Sequence, residues 1–340
     1  MTTTAAFDLV LGSRGPLLVY AEPATVGARF RCSGSTAPGE RGLAAAGVSP
    51  GRRRRALPPD ALEIAAAGGG GQLAVAWVER HGTAFRALAT YGSPEGAFAP
   101  PTELGRTERT LTGDRGHVAA AVSSAGHVEA MARLATGPCG EGENPGECVP
   151  VGITRLAPGP SERRGVGLML PRPCTPTVLG FLHTNDVWHY AVCDASEGTA
   201  TTFYAVQFEP EYAHAERSLE GCTPRGLVAF GSGAAVVGDC EGTRRGLWLG
   251  EAGRQRRSFE GTAQIACEGE PTLVLPDGSR EPLSAPREGL AALLDDEIAP
   301  PGSRAIWTGE VLLVAAPLDR EVSLRRHECW NGTFRRTDHE

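Results

Sequence analysis

Cys174-Thr-Pro-Thr-Val-Leu-Gly-Phe-Leu182 and Cys222-Thr-Pro-Arg-Gly-Leu-Val-Ala-Phe230 are two copies of one pattern, starting 48 residues apart. Each is followed by a second apolar run that closes on a cysteine: Cys193 after Trp188-His-Tyr-Ala-Val192, and Cys240 after Ala235-Val-Val-Gly-Asp239. Spacing and chemistry repeat together, so the chain is read first as a repeat protein.

The same strand, small turn and strand recur with looser identity at Phe7 to Ala21, Leu62 to Val78, His117 to Leu134, Gln264 to Leu275 and Arg304 to Ala316. Seven units then begin near residues 7, 62, 117, 174, 222, 263 and 304. The steps are about 40 to 57 residues, close to the roughly 40 to 50 of a four-stranded propeller blade. Runs such as Leu73-Ala-Val-Ala-Trp77 and Val311-Leu-Leu-Val-Ala-Ala316 suit strands buried on both faces. Glu321-Val-Ser-Leu-Arg325 and Thr202-Phe-Tyr-Ala-Val206 alternate, which marks one wet face. Only Glu288 to Glu297 offers helical spacing. The expected fold is all-β, one seven-bladed β-propeller over residues 1–340. A six-bladed propeller or a pair of β-sandwiches is the alternative.

Composition agrees with many short strands. Glycine (45) and proline (26) punctuate all 340 residues rather than one linker. All 33 basic residues are arginine, so lysine Schiff-base and general-base chemistry is excluded. The net charge is −7, and the one strong basic run, Arg52 to Arg55, lacks interleaved aromatics, which speaks against nucleic-acid binding. That run lies in the longest insertion, residues 32–61, which is expected to be a flexible surface loop. No apolar stretch is long enough to span a bilayer.

Nine cysteines without CxxC spacing point to structural disulfides and an oxidising compartment. The strand argument pairs Cys174 with Cys193 and Cys222 with Cys240, while Cys139 and Cys148 would staple a Gly- and Pro-rich hairpin tip. A bond from Cys32 to Cys329 would join the chain ends, leaving Cys267 as a buried free thiol. The chain is therefore expected to be extracytoplasmic, with its signal segment absent from the sequence as it begins.

Phosphate loops, the GxSxG elbow and HExxH are all missing, and Gly68 to Gly71 is a turn. The one histidine pair close in sequence, His183 and His189, flanks Asp186 and forms a conceivable metal or sugar corner. Asp295, Asp296 and Glu297 lack the alternating ligands of a calcium loop and read as a solvated helix end. Asn331-Gly332-Thr333 matches a glycosylation acceptor.

The units at Leu62, Cys174, Cys222 and Arg304 resemble blades of degenerate propellers in exported proteins of GC-rich bacteria. The aspartate box, the Trp-Asp signature and kelch aromatic spacing are absent. Because a propeller presents loops around a central channel, a natural docking face, the leading expectation is a non-enzymatic binding or scaffold module at the cell surface or in the periplasm. It would act as a monomer on a protein or carbohydrate ligand, with no cofactor. The alternative is a carbohydrate-active hydrolase or lyase using carboxylates and arginine at the channel mouth.

Overall fold

The computed structural model describes residues 6–12, 15–22, 29–34, 61–93, 98–108, 117–122, 126–133, 137–138, 147–157, 167–171, 174–183, 187–195, 200–207, 213–230, 233–249, 255–284, 287–318 and 321–337. Their strands form seven antiparallel sheets that follow one another along the chain, the arrangement of a β-propeller.

The first sheet comprises Phe7–Gly12, Gly15–Glu22 and Arg29–Gly34. The second comprises Ala61–Gly69, Gln72–His81, Ala84–Gly92 and Thr102–Thr107. In the third, Val118–Val122 pairs with Val128–Ala132 and that with Glu147–Ala157, whose far edge takes both Gly137–Pro138 and Gly167–Pro171. The fourth runs through Cys174–His183, Val187–Ala195, Ala200–Gln207 and Ala213–Glu220. The fifth runs through Cys222–Phe230, Gly233–Cys240, Thr243–Leu249 and Gln255–Glu260. The sixth has three short strands, Gln264–Ala266, Thr272–Val274 and Arg280–Pro282. The seventh comprises Arg304–Trp307, Val311–Leu318, Glu321–Trp330 and Thr333–Arg336.

The first strands of neighbouring sheets touch one another, so they surround a common axis. Phe7–Gly12 contacts Ala61–Gly69, which contacts Val118–Val122, then Cys174–His183, then Cys222–Phe230. At the sixth place a 3-10 turn, Leu290–Ala292, bridges Cys222–Phe230 and Arg304–Trp307. Arg304–Trp307 in turn meets Phe7–Gly12, and the circle closes.

Burial explains the circle. Leu73, Ala74, Val75, Ala76, Trp77 and Val78 are all at most 3% exposed, because neighbouring sheets cover both faces of their strand. Ala74, Ala76 and Val78 pack with Val118, Val128 and Ala130 of the third sheet, while Leu73, Val75 and Trp77 pack with Val10 and Val19 of the first. Removing each such valine or leucine from water stabilises the fold by roughly 1.5–3 kcal/mol. The closing interface is equally apolar, with Phe7, Leu9 and Leu18 against Ile306, Leu313 and Ala315.

The helix expected over Glu288 to Glu297 shrinks to that single 3-10 turn. Gly289 enters it with φ 77°, and the flanking backbone is committed sideways. Ala263 N–H donates to Leu293 O at 2.9 Å, and Arg287 and Trp307 exchange both backbone bonds at 2.7 and 2.8 Å. Those lateral bonds use groups a longer helix would need for itself. Gly289 also lies so close to Leu227 O that a Cβ would stand 3.1 Å from it.

Candidate functional site

The cysteines divide. Cys222 and Cys240 stand directly opposite each other, and their sulfurs are bonded. Cys267 is bonded to Cys329, with Cα atoms 5.3 Å apart. Two expectations are thereby corrected: Cys267 is no free thiol, and Cys329 is not the partner of Cys32. The alternation of Glu321–Trp330 gives the reason. Val322 and Leu324 pack towards the first sheet, whereas Cys329, odd in parity, packs into the sixth-sheet core beside Phe334. Of the remaining expected pairs, Cys174 lies opposite Ala195 and Cys193 opposite Pro176 in the backbone register, and their side chains lie outside the described residues. Cys139 also lies outside them, as do residues 35–60 of the insertion.

The backbone register sets His183 against Val187 and His189 against Phe181, so the two histidines are not directly opposed. Their side chains, and Asp186 altogether, lie outside the described residues. Among the described residues no group of three or more His, Cys, Asp or Glu is placed to hold a metal ion.

Polar groups converge instead near the axis, on the closing interface. Asp8, in the first strand of the first sheet, accepts from Arg304 Nε at 3.1 Å and from its neighbour Leu9 N–H at 2.9 Å through Oδ1. Its Oδ2 accepts the Ala66 N–H of the second sheet at 2.8 Å. One carboxylate thus ties together the seventh, first and second sheets. Burial raises its pKa above the usual carboxylate value, opposed by the Arg304 charge and by these donors.

Glu288 reaches the same interface from the other side. Its Oε1 accepts Leu11 N–H at 2.5 Å, while adjacent Arg287 is paired to the seventh sheet and Gly289 rests on the fifth. Two consecutive residues therefore touch the first and fifth sheets, which are not neighbours in the circle. Glu288 is exposed to solvent. Crowding of its carboxyl by the surrounding chain, with the Asp8 charge beside it and Leu11 N–H pulling the other way, raises its pKa to about 7.

Further ionic fasteners join other sheets. Glu63 Oε2 accepts from His117 Nδ1 at 2.7 Å and from His117 N–H at 3.0 Å, across the second and third sheets. Arg244 and Arg225, both with side chains under 9% exposed, share Asp239 and Asp296. Arg225 Nη2 also donates to Ala299 O at 3.1 Å, and Arg244 to Leu294 O. Asp296 thus anchors the segment after the 3-10 turn to the fifth sheet, a role that reading it as a solvated helix end missed.

Sequence reasoning passed over Asp8 and Glu288. The signal for Asp8 was present, since Phe7-Asp-Leu-Val-Leu11 sets one carboxylate in an otherwise apolar strand. Glu288 carried none, because its surroundings read as a helix.

No family model and no curated protein matches the chain. Among solved structures it is similar to the Dos1 propeller at 9% identity and TM-score 0.45, over 98% of this chain and 85% of that one. It is also similar to xylan β-1,4-xylosidase from Bacillus halodurans C-125 at 10% identity and TM-score 0.34, over 98% and 82%. A structure of prolyl endopeptidases is matched at 11% identity and TM-score 0.36, over 95% of this chain and 49% of that one. At these levels of likeness no activity passes from those proteins to this chain.

Proposed function

We propose that the chain is a binding or scaffold propeller of an extracytoplasmic compartment, its seven sheets serving as seven blades of one monomeric domain. Its ligand, a protein or a carbohydrate, is held at the end of the axis marked by Asp8, Glu288 and Arg304. The two disulfides support the compartment, since such bonds persist where the surroundings are oxidising.

The engagement of Asp8 carries the choice of binding over catalysis. Carboxylate hydrolysis of a glycosidic bond needs two carboxyl groups, one to protonate the leaving oxygen and one to attack or to activate water. Both oxygens of Asp8 are occupied by Leu9, Ala66 and Arg304, so it acts as a fastener. Glu288 is left as the one carboxyl of the pair with solvent access, suited to hydrogen-bonding a ligand hydroxyl or amine.

The hydrolase reading keeps one observation in its favour, a carboxyl titrating near neutrality beside a second carboxyl. Titration calorimetry against soluble polysaccharides and oligosaccharides, with reducing ends assayed in the same samples, separates the two. Binding without released ends, weakened by Glu288→Gln, is the expected result. Release of ends that is abolished by both Glu288→Gln and Asp8→Asn would overturn the binding reading in favour of hydrolysis.

A further inference from the structure

The last hairpin, Glu321–Trp330 and Thr333–Arg336, forms the outer edge of the seventh sheet, away from the axis. Its turn is two residues long, Asn331 at φ 49° and Gly332 at φ 75°, the left-handed pair that a tight hairpin favours. The turn fixes the register, so Trp330 lies opposite Thr333, Cys329 opposite Phe334 and Glu328 opposite Arg335. Alternation then gives the hairpin two unlike faces. Cys329 and Phe334 turn towards the sixth-sheet core, where the bond to Cys267 holds them. His327 stacks on Phe334, ring centroids 5.5 Å apart. The other face carries Trp330, Thr333 and Arg335, all exposed.

Two features of that outer face go beyond what a strand edge needs. Trp330 is 54% exposed, and among the described residues Leu62 is the one other large apolar side chain left in water. Arg335 is the second feature. The glutamate opposite it, Glu328, is placed to be its counter-ion. Yet Glu328 Oε2 accepts from Arg326 Nη2 at 3.3 Å, and among the described residues Arg335 makes no ion pair. Arg335 instead holds its guanidinium carbon 5.5 Å from the centre of the Trp330 ring. The face thus sets two arginines against one glutamate, in a chain whose net charge is −7. A guanidinium without a counter-charge beside an open aromatic ring, both on strands braced from behind by a disulfide, suits a ligand with one apolar face and a negative charge. A uronic acid ring has both, C–H groups along one face and a carboxylate at its rim.

We propose that Trp330 and Arg335 bind a uronate-bearing polysaccharide, the indole stacking on the C–H face of a sugar ring and the guanidinium pairing with its carboxylate. The negative face of the indole attracts polarised C–H groups. The guanidinium offers parallel N–H donors in the geometry a carboxylate accepts. Thr333 and Asn331 add a hydroxyl and an amide at the same corner for the ring hydroxyls. This site lies apart from the axis and holds whatever the axis binds.

Titration calorimetry of the intact chain against polygalacturonate, with dextran as the neutral comparison, tests it. The wild-type chain should bind polygalacturonate at least tenfold more tightly than dextran, and added salt should weaken that binding, as it screens an exposed ion pair. Arg335→Gln should weaken it about tenfold, the effect of losing one charge-assisted hydrogen bond, and Trp330→Ala by a similar factor. Both side chains are exposed, so the variants keep the fold, which circular dichroism checks. In a Glu288→Gln background both effects should persist, which separates this site from the axis. Binding undiminished in both variants, or dextran bound as tightly as polygalacturonate, would overturn the proposal. So would an absence of binding, or a wild-type dimer in sedimentation that Trp330→Ala dissolves, since a second copy of the chain would then occupy this face.

Discussion

Asp8 Oδ1 and Arg304 Nε lie 3.1 Å apart although 296 residues separate them, and this contact joins the first sheet to the last. Asp8 has little exposure, and it also satisfies the Ala66 and Leu9 amides. Asp8→Ala leaves those donors without their acceptor, which costs about 1–3 kcal/mol. Urea unfolding should show the loss, and Asp8→Asn should recover part of it by keeping one acceptor oxygen.

The dependence of stability on pH should run against the usual acid sensitivity. Glu288 is raised from 4.5 to about 7, so between those values the folded chain binds more protons than the unfolded one. Its contribution is complete below about 4.5 and is lost as pH rises to about 7, and raised Asp8 acts in the same sense. Asp296 is opposite in sign: burial pushes it up, but hydrogen bonds and charges from Arg244 and Arg225 outweigh that and hold it low. Its contribution is lost only as pH falls below its ordinary 3.8. Thermal melts should therefore give the highest Tm near pH 4 to 5, and Glu288→Gln should flatten the decline from pH 5 to 7.

The two observed disulfides should differ in weight. Cys267–Cys329 closes a loop of 62 residues and Cys222–Cys240 one of 18. Loop-closure entropy assigns them about 4 and about 3 kcal/mol. Cys329→Ser should lower stability more than Cys240→Ser, and it should also weaken the docking of the sixth sheet on the seventh. Denaturant titration of the two variants checks the order.

Gly246 is required by a neighbour rather than by its own backbone. A Cβ there would stand 1.9 Å from Phe259 Cζ on the paired strand. Phe259 is buried and has nowhere to retreat, so Gly246→Ala should destabilise by about 1–3 kcal/mol through overpacking. The double variant Gly246→Ala with Phe259→Leu should recover part of that loss in the same unfolding assay.

What could be read from the sequence was what strands dictate locally. Continuous apolar runs such as Leu73 to Trp77 reported burial on both faces, and the Cys222 and Cys240 positions fell into register because one hairpin sets both. Contacts between sheets were not legible, since they depend on how twisted sheets meet. Cys267 meets Cys329 because residue 329 has the parity that faces the sixth sheet, a fact invisible without the packing. Glu288 was hidden for a related reason: Glu288-Gly-Leu-Ala-Ala-Leu-Leu294 has helical spacing, but its apolar residues fill the core between the fifth and seventh sheets.

The central claim is that the sheets close into a circle, with the first packed on the last. A double-mutant cycle on Leu9→Ala and Ile306→Ala tests this most directly, since both side chains lie in the closing cluster and are buried. Each single change should cost about 2–5 kcal/mol. The account predicts a coupling of about 0.5–3 kcal/mol between them, as for residues sharing one packed site. Strict additivity within experimental error would contradict closure.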